Sequence, residues 1–250
     1  FTRERATPEG EIVPRLEGEW AGRPMALPDH SAYGIVSKDG SAIWINGAFG
    51  SQKRTVWLRQ GEWNRPSPVE NEGMLWDVSY DGSFALAYRA GSRPAAIATL
   101  HQDGVGVFTV LAHPEWNLYR AALSWDQRWV TFTAVRPDGA VGMYTAPFRA
   151  NERIPIEEWT YAGRGSSPIW SPDGDRLFFL SKRDGHACLY EQPLDLATKK
   201  PVGEARPVAR FDGPESVENL PPDSARISAT RSGILFSLGR RADYVVRVPF

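Results

Sequence analysis

The feature that most constrains this chain is a short recurring pattern: an apolar strand, then serine, any residue, aspartate and, in most copies, glycine. It stands as Ser37-Lys38-Asp39-Gly40, Ser79-Tyr80-Asp81-Gly82, Ser124-Trp125-Asp126-Gln127 and Ser171-Pro172-Asp173-Gly174, with a worn fifth copy at Thr230-Arg231-Ser232-Gly233. Successive serines lie 42, 45 and 47 residues apart, and 59 positions separate Ser171 from Thr230. The longer last interval holds Asp212-Gly213-Pro214 and Pro221-Pro222-Asp223, which read as a loop insertion. A period of about 45 filled by strand-like segments, with no convincing amphipathic helical window, is the spacing of one four-stranded propeller blade. The 23 glycines and 20 prolines supply the tight turns that so many short strands require.

The fourth copy shows the unit best. Strand A runs from Ser167 to Ser171 and ends in the turn Pro172-Asp173-Gly174. Proline presets the first central angle there, aspartate can bond back to the backbone, and glycine accepts positive φ. Strand B is Arg176 to Leu180, a second turn falls at Arg183-Asp184-Gly185, strand C is Ala187 to Glu191, and strand D is Arg206 to Phe211. The third copy repeats the plan, with Trp129 to Thr133, a turn at Pro137-Asp138-Gly139, and Val141 to Tyr144.

These residues resemble a known family. Pro168-Ile169-Trp170-Ser171-Pro172-Asp173-Gly174, followed by Leu177-Phe178-Phe179-Leu180-Ser181 and Arg183-Asp184-Gly185, is similar to the TolB-type β-propeller repeat. The resemblance covers about residues 31–250 and implies an all-β propeller. Repeats of this type occur in TolB, in the propellers of prolyl-oligopeptidase-like enzymes, and in periplasmic sensor regions attached to bacterial kinases or transcription regulators. The run from Arg183 to Val208, with Leu194-Asp195 and Thr198-Lys199-Lys200-Pro201-Val202-Gly203, is most similar to that last group. The resemblance implies a periplasmic or extracellular setting, and a repeat of this kind specifies fold far more than function.

Five four-stranded blades are expected, at about 31–70, 73–112, 117–161, 165–212 and 225–250. The fifth has strands A, B and C, ending in Tyr244 to Val248, but no D. An open sheet edge invites aggregation. The N-terminal segment 1–30 is therefore expected to supply the missing strand through Gly10 to Leu16, with Pro14 on an outermost position where its lost donor faces solvent. The alternative is that Phe1 is a cut point in a longer chain with further blades upstream.

Several function classes lose support from composition. One cysteine, Cys188, excludes an intrachain disulfide and any multi-cysteine zinc site. The histidines His30, His101, His113 and His186 share no metal-ligand spacing, so neither metal nor cofactor is expected. A net charge of −1 argues against bulk nucleic-acid binding. No apolar run reaches the length of a membrane span. The sequence does not fix an oligomeric state beyond a monomer or part of a larger chain. No Gly-x-Ser-x-Gly elbow occurs, since Gly163-Arg164-Gly165-Ser166-Ser167 lacks the final glycine, and no catalytic residue is assigned.

The repeated aspartates Asp39, Asp81, Asp126 and Asp173 read as turn residues with a local bonding role rather than as ligands. Trp44, Trp76, Trp125, Trp129 and Trp170 lie in or beside A and B strands and read as wedge fillers between blades. Trp76 and Trp116, bordering inter-blade loops, are the candidates for an exposed stacking ring. The B–C turns carry Arg89, Arg136, Arg183 and Arg240, one per blade from the second to the fifth, while the A–B turns carry the aspartates. A near-neutral chain can therefore be polarised across its thickness. The leading expectation is a non-enzymatic binding or sensing module whose arginines meet a protein segment or small anionic ligand. The alternatives are a glycoside-hydrolase-like propeller enzyme with carboxylates in its channel, and a docking domain of a peptidase or kinase.

Overall fold

A computed structural model describes residues 30–49, 52–59, 67–69, 73–89, 91–102, 106–210, 215–216, 227–230, 233–236 and 239–240. The chain divides into two compact units, one of residues 1–92 and 97–109, the other of residues 93–96 and 110–250.

The first unit holds two four-stranded sheets. β1 (His30–Val36), β2 (Ala42–Phe49), β3 (Gln52–Arg59) and β4 (Ser67–Val69) pair antiparallel in chain order. β5 (Leu75–Val78), β6 (Phe84–Tyr88), β7 (Ile97–His101) and β8 (Val107–Leu111) form the second sheet, β8 running on into the other unit. Trp44, Leu75, Val78, Ala85, Ala87 and Leu100 form a buried apolar cluster here. Trp44 donates from Nε1 to the carbonyl of Gly82 at 2.8 Å, and Trp57 Nε1 reaches the same oxygen at 3.1 Å. Gly82 sits at φ +71°, and a Cβ placed on it would collide with the Ala42 side chain.

The second unit repeats the plan. β9 (Asn117–Leu123), β10 (Trp129–Val135), β11 (Val141–Pro147) and β12 (Thr160–Gly163) form one antiparallel sheet. β13 (Ser166–Trp170), β14 (Arg176–Ser181), β15 (Cys188–Pro193) and β16 (Arg206–Arg210) form the next. Met143, Ala162, Trp170, Leu177, Phe179, Cys188 and Tyr190 pack a core between them, and Cys188 is a buried small side chain in it. Among the described residues the only helix is a 3-10 turn at Ile156–Glu158, and no helix is long and apolar enough to cross a membrane.

The repeat has a physical explanation. In the first three copies the serine hydroxyl donates to the aspartate two positions on, at 2.7 Å for Ser37–Asp39, 2.9 Å for Ser79–Asp81 and 2.6 Å for Ser124–Asp126. Each hydroxyl also accepts the amide five positions on, from Ala42, Phe84 and Trp129. Each carboxylate accepts the amide at the far side of the turn, from Ser41, Ser83 and Arg128. The serines are buried, so their hydroxyls must be satisfied, and this relay satisfies them while closing the A–B turn.

The fourth copy departs from that expectation. Ser171 Oγ donates to Asp175 rather than Asp173, at 2.9 Å, and Arg176 grips the same carboxylate with Nε and Nη2, each at 2.9 Å. The two-pronged arginine makes Asp175 the better-anchored acceptor. Asp173 stays exposed in its turn and accepts no hydrogen bond among the described residues.

A second repeated device was not expected. The first strand of each of these sheets carries an irregularity in its pairing register. In the second unit the irregularities hold non-glycine residues in the left-handed region, Arg120 and Ser167, both at φ 54° and both four positions before a repeat serine. Bulges of this kind bend a strand and re-aim its side chains.

Among the described residues the expected fifth blade does not form a four-stranded sheet: they make four such blades, not five. After β16, the described residues form β17 (Glu215–Ser216) paired with β20 (Gly239–Arg240), and β18 (Ile227–Thr230) paired with β19 (Gly233–Phe236). The fifth copy places Thr230 opposite Gly233, at the end of β18 and the start of β19. It lacks the aspartate acceptor that closes the other turns, and the hairpin gains no further strands among the described residues. The expected closing strand, with Ile12, Val13 and Leu16, and the stretch Tyr244 to Val248 lie outside the described residues.

Candidate functional site

Within the second unit, register places several turns at one end. Val135 pairs with Asn117 and Val141, so the turn 136–140 opens beside the loop that enters β9. The link from β12 to β13 passes at that same end, because Ser166 pairs with Leu180, next to the turn 182–187. Loop 112–116, turn 136–140, link 164–165 and turn 182–187 therefore share one rim of this unit.

Two sequence candidates meet there. The Arg136 guanidinium lies 4.9 Å from the centre of the Trp116 ring, and its Nη2 donates to the Tyr144 hydroxyl at 3.4 Å. Trp116 also stacks on His113, with ring centres 4.1 Å apart and planes 15° from parallel. Beneath them Tyr144 meets Phe132, Trp159 and Tyr161 at 5.8, 6.3 and 5.4 Å. Cross-strand register explains the row, since Phe132 opposes Tyr144 and Tyr144 opposes Tyr161 across β10, β11 and β12. Tyr161 is 48% exposed, whereas Phe132 is fully buried. The row thus runs from core to solvent. The hydrogen bond to Tyr144 holds the Arg136 charge on, its pKa raised above the ordinary arginine value.

Arg183 is built similarly in the next blade. Its guanidinium lies 4.5 Å from the Tyr190 ring centre and 5.5 Å from that of Phe179, and Nη2 donates to the Arg164 carbonyl at 3.1 Å. The Tyr190 hydroxyl donates to Asp184, and burial together with that carboxylate pushes the Tyr190 pKa up to about 12. Asp184 is thus engaged by the tyrosine, while Arg136 and Arg183 keep exposed positions on the rim. The four arginines expected to line up do not form one described set. Arg89 lies in the other unit, its Nη1 donating to the Val107 carbonyl at 3.1 Å. Arg240 lies in β20, paired with Glu215. Trp76 sits half-buried in β5, also in the other unit.

No sequence pattern singles out His113, Tyr144, Trp159, Tyr161 or Tyr190 as site residues. A spacing does accompany two of them: each B–C turn of these two blades carries Asp-Gly with a tyrosine six positions after the aspartate, Asp138 before Tyr144 and Asp184 before Tyr190. Each of those tyrosines meets the arginine of its turn: Tyr144 accepts a hydrogen bond from Arg136, and Arg183 lies over the Tyr190 ring.

A cleft of about 560 Å³ lies elsewhere in this unit, between the fourth blade and the β18–β19 hairpin. Phe178, Leu189, Ala209 and Ile234 line it, with Asp173 and Glu191 at its polar margin. Glu191 is committed to Arg176 at 3.5 Å and Arg206 at 3.2 Å. Among the described residues no group of three or more histidine, cysteine or acidic side chains is placed to hold a metal ion.

No protein-family model matches the chain, and no curated protein matches it by sequence. Solved structures do match. Four-stranded antiparallel blades built on a repeated Ser-x-Asp turn define an all-β propeller, and three of the similar structures agree. A protein assigned as TolB from Agrobacterium tumefaciens has a TM-score of 0.61 at 17% identity, over 87% of this chain and 73% of that one. TolB from Acinetobacter baumannii has a TM-score of 0.60 at 14% identity, over 96% of this chain and 59% of that one. An oligogalacturonate lyase in complex with manganese has a TM-score of 0.53 at 15% identity, over 82% of this chain and 58% of that one. The fold is that of a TolB-type β-propeller. At these identities the likeness concerns fold, and the chain spans less than two thirds of the second and third of these structures.

Proposed function

We propose that this protein is a non-enzymatic propeller module that binds an acidic protein segment or a small anionic ligand on the rim carrying Arg136 and Arg183, in a periplasmic or extracellular setting. The observation that carries the reading is the seating of both guanidiniums on aromatic rings while both residues stay exposed. An arginine laid on a ring keeps its charge, loses rotamer freedom before a ligand arrives, and still offers N–H donors to a carboxylate or phosphate. Held this way it is pre-organised, so less ordering cost falls on the binding step. Exposed Tyr161 and half-buried Trp116 add aromatic surface beside the charge, the mix that protein-binding patches favour.

The test uses a fluorescein-labelled hexaglutamate peptide and, in a separate arm, inorganic phosphate. Binding of either at low salt, weakened by added salt and by the double variant Arg136→Gln with Arg183→Gln, supports the reading. Binding of neither, or binding that the double variant leaves intact, overturns it.

A further inference from the structure

Trp116 does not hold its position unaided. His113 Nδ1 accepts two backbone hydrogen bonds, from the Glu115 amide at 3.1 Å and the Trp116 amide at 3.0 Å, while its ring stacks against the Trp116 indole. A nitrogen that accepts two N–H groups carries no proton, so in the neutral imidazole the proton belongs on Nε2. We infer that His113 is the positioning residue for Trp116 and acts as an acid-opened clamp: neutral, it ties down the turn 113–116 and presents Trp116 to Arg136; protonated, it releases them.

Simple geometry gives the reason. A proton on Nδ1 would point at two amide protons, turning both attractions into repulsions and leaving two backbone donors without their acceptor. It would also set a second cation against the ring that Arg136 already covers. The charged surroundings are few. Glu115, on the same turn, favours the imidazolium. Arg136 from the β10–β11 turn opposes it. Arg153 is engaged with the Ala112 carbonyl at 3.5 Å. Trp159, 6.1 Å away, and Tyr144 behind Trp116 contribute rings without charge. Burial outweighs Glu115 and holds the His113 pKa below its ordinary 6.5. The clamp is therefore closed at neutral pH and opens on acidification. The consequence for ligand binding rests on the function proposed above; the clamp itself does not.

The experiment is a nitrogen–proton NMR titration of the full chain from about pH 8 to about pH 5, across the range in which a histidine titrates. The amides of Glu115 and Trp116 are expected to move together, with one midpoint below 6.5. The imidazole nitrogens of His113 should report a bare Nδ1 at the alkaline end. His113→Asn supplies an amide oxygen able to accept the same bonds and unable to titrate, so both amides should stay put across the range in that variant. Hexaglutamate affinity should fall several-fold through the same midpoint in the parent and show no such step in His113→Asn. A protonated Nδ1 at the alkaline end, amides that do not move in the parent, or amides that move equally in His113→Asn would each overturn the clamp. The nitrogen measurement on the parent decides the matter even if the variant does not fold. Amides that titrate as described with no peptide binding at any pH would uphold the clamp and reject the acidic-ligand reading.

Discussion

Arg136 rests 4.9 Å from the centre of the Trp116 ring, two side chains from segments 20 residues apart that meet because β9 and β10 pair along their length. A cation over an indole at an exposed site contributes too little to hold a fold and enough to fix an orientation. Replacing Arg136 and Arg183 together by glutamine is therefore expected to lower the melting temperature by only a few degrees. A loss of cooperative unfolding in that variant would show that the arginines are structural.

The fourth repeat separates two neighbouring aspartates. Asp175 accepts from Ser171 and from two nitrogens of Arg176, whereas Asp173 has no such role. Asp175→Ala is expected to cost about 1–3 kcal/mol, since it strands a buried serine hydroxyl and frees a charged partner. Asp173→Ala should fall within about 0.5 kcal/mol of the parent, the usual range for an exposed side chain without a special role. Equal costs in urea unfolding would mean that the turn aspartate works in solution as it does in the other copies.

That contrast shows what the sequence could disclose. The A–B turns were legible because their chemistry is local: serine, aspartate and the amides they bind lie within six consecutive residues. The move from Asp173 to Asp175 was hidden, because it turns on which carboxylate Arg176 grips, and spacing says nothing of that. The count of five failed at the last copy, Thr230-Arg231-Ser232-Gly233, because β18 and β19 pair there but gain no further strands among the described residues. At the candidate site, Trp116 and Arg136 were each visible alone. Their meeting was not, because it depends on cross-strand register. His113 shows no metal-ligand spacing in the sequence, and a lone histidine in a loop carries no other pattern.

Gly82 marks where two strands of the first blade reach the turn of the second. Its carbonyl accepts from Trp44 and Trp57, its φ is +71°, and an added Cβ would collide with Ala42. Gly82→Ala combines left-handed strain with overpacking and is expected to cost about 2–4 kcal/mol. Gly139, also at positive φ but with nothing within 4 Å of an added Cβ, is the control. Gly139→Ala should cost only about 1–2 kcal/mol, the strain alone. Equal losses would mean that the approach of Ala42 is relieved at no cost.

The turn carboxylates set the acid limit of the fold. Burial raises Asp39, Asp81 and Asp126, but the serine hydroxyls and turn amides that donate to them outweigh it and hold each below the ordinary 3.8. At Asp175 the bond from Arg176 is the largest cause, aided by Ser171. A carboxylate whose folded value lies below its unfolded one binds fewer protons in the native state, so acidification favours the unfolded chain. The stabilisation is present in full above the unfolded value and is lost as pH falls through the folded values. The melting temperature is therefore expected to lose little between neutral pH and about pH 5 on account of these groups, and to fall steeply below about pH 4. Asp126→Asn keeps an oxygen that can accept from Ser124 and the Arg128 amide but cannot be protonated there. Its melting temperature should start lower at neutral pH, where the charge strengthens those bonds, and decline less steeply in acid, so the two curves converge. Parallel curves for parent and variant would place the acid sensitivity elsewhere in the chain and detach it from the repeat.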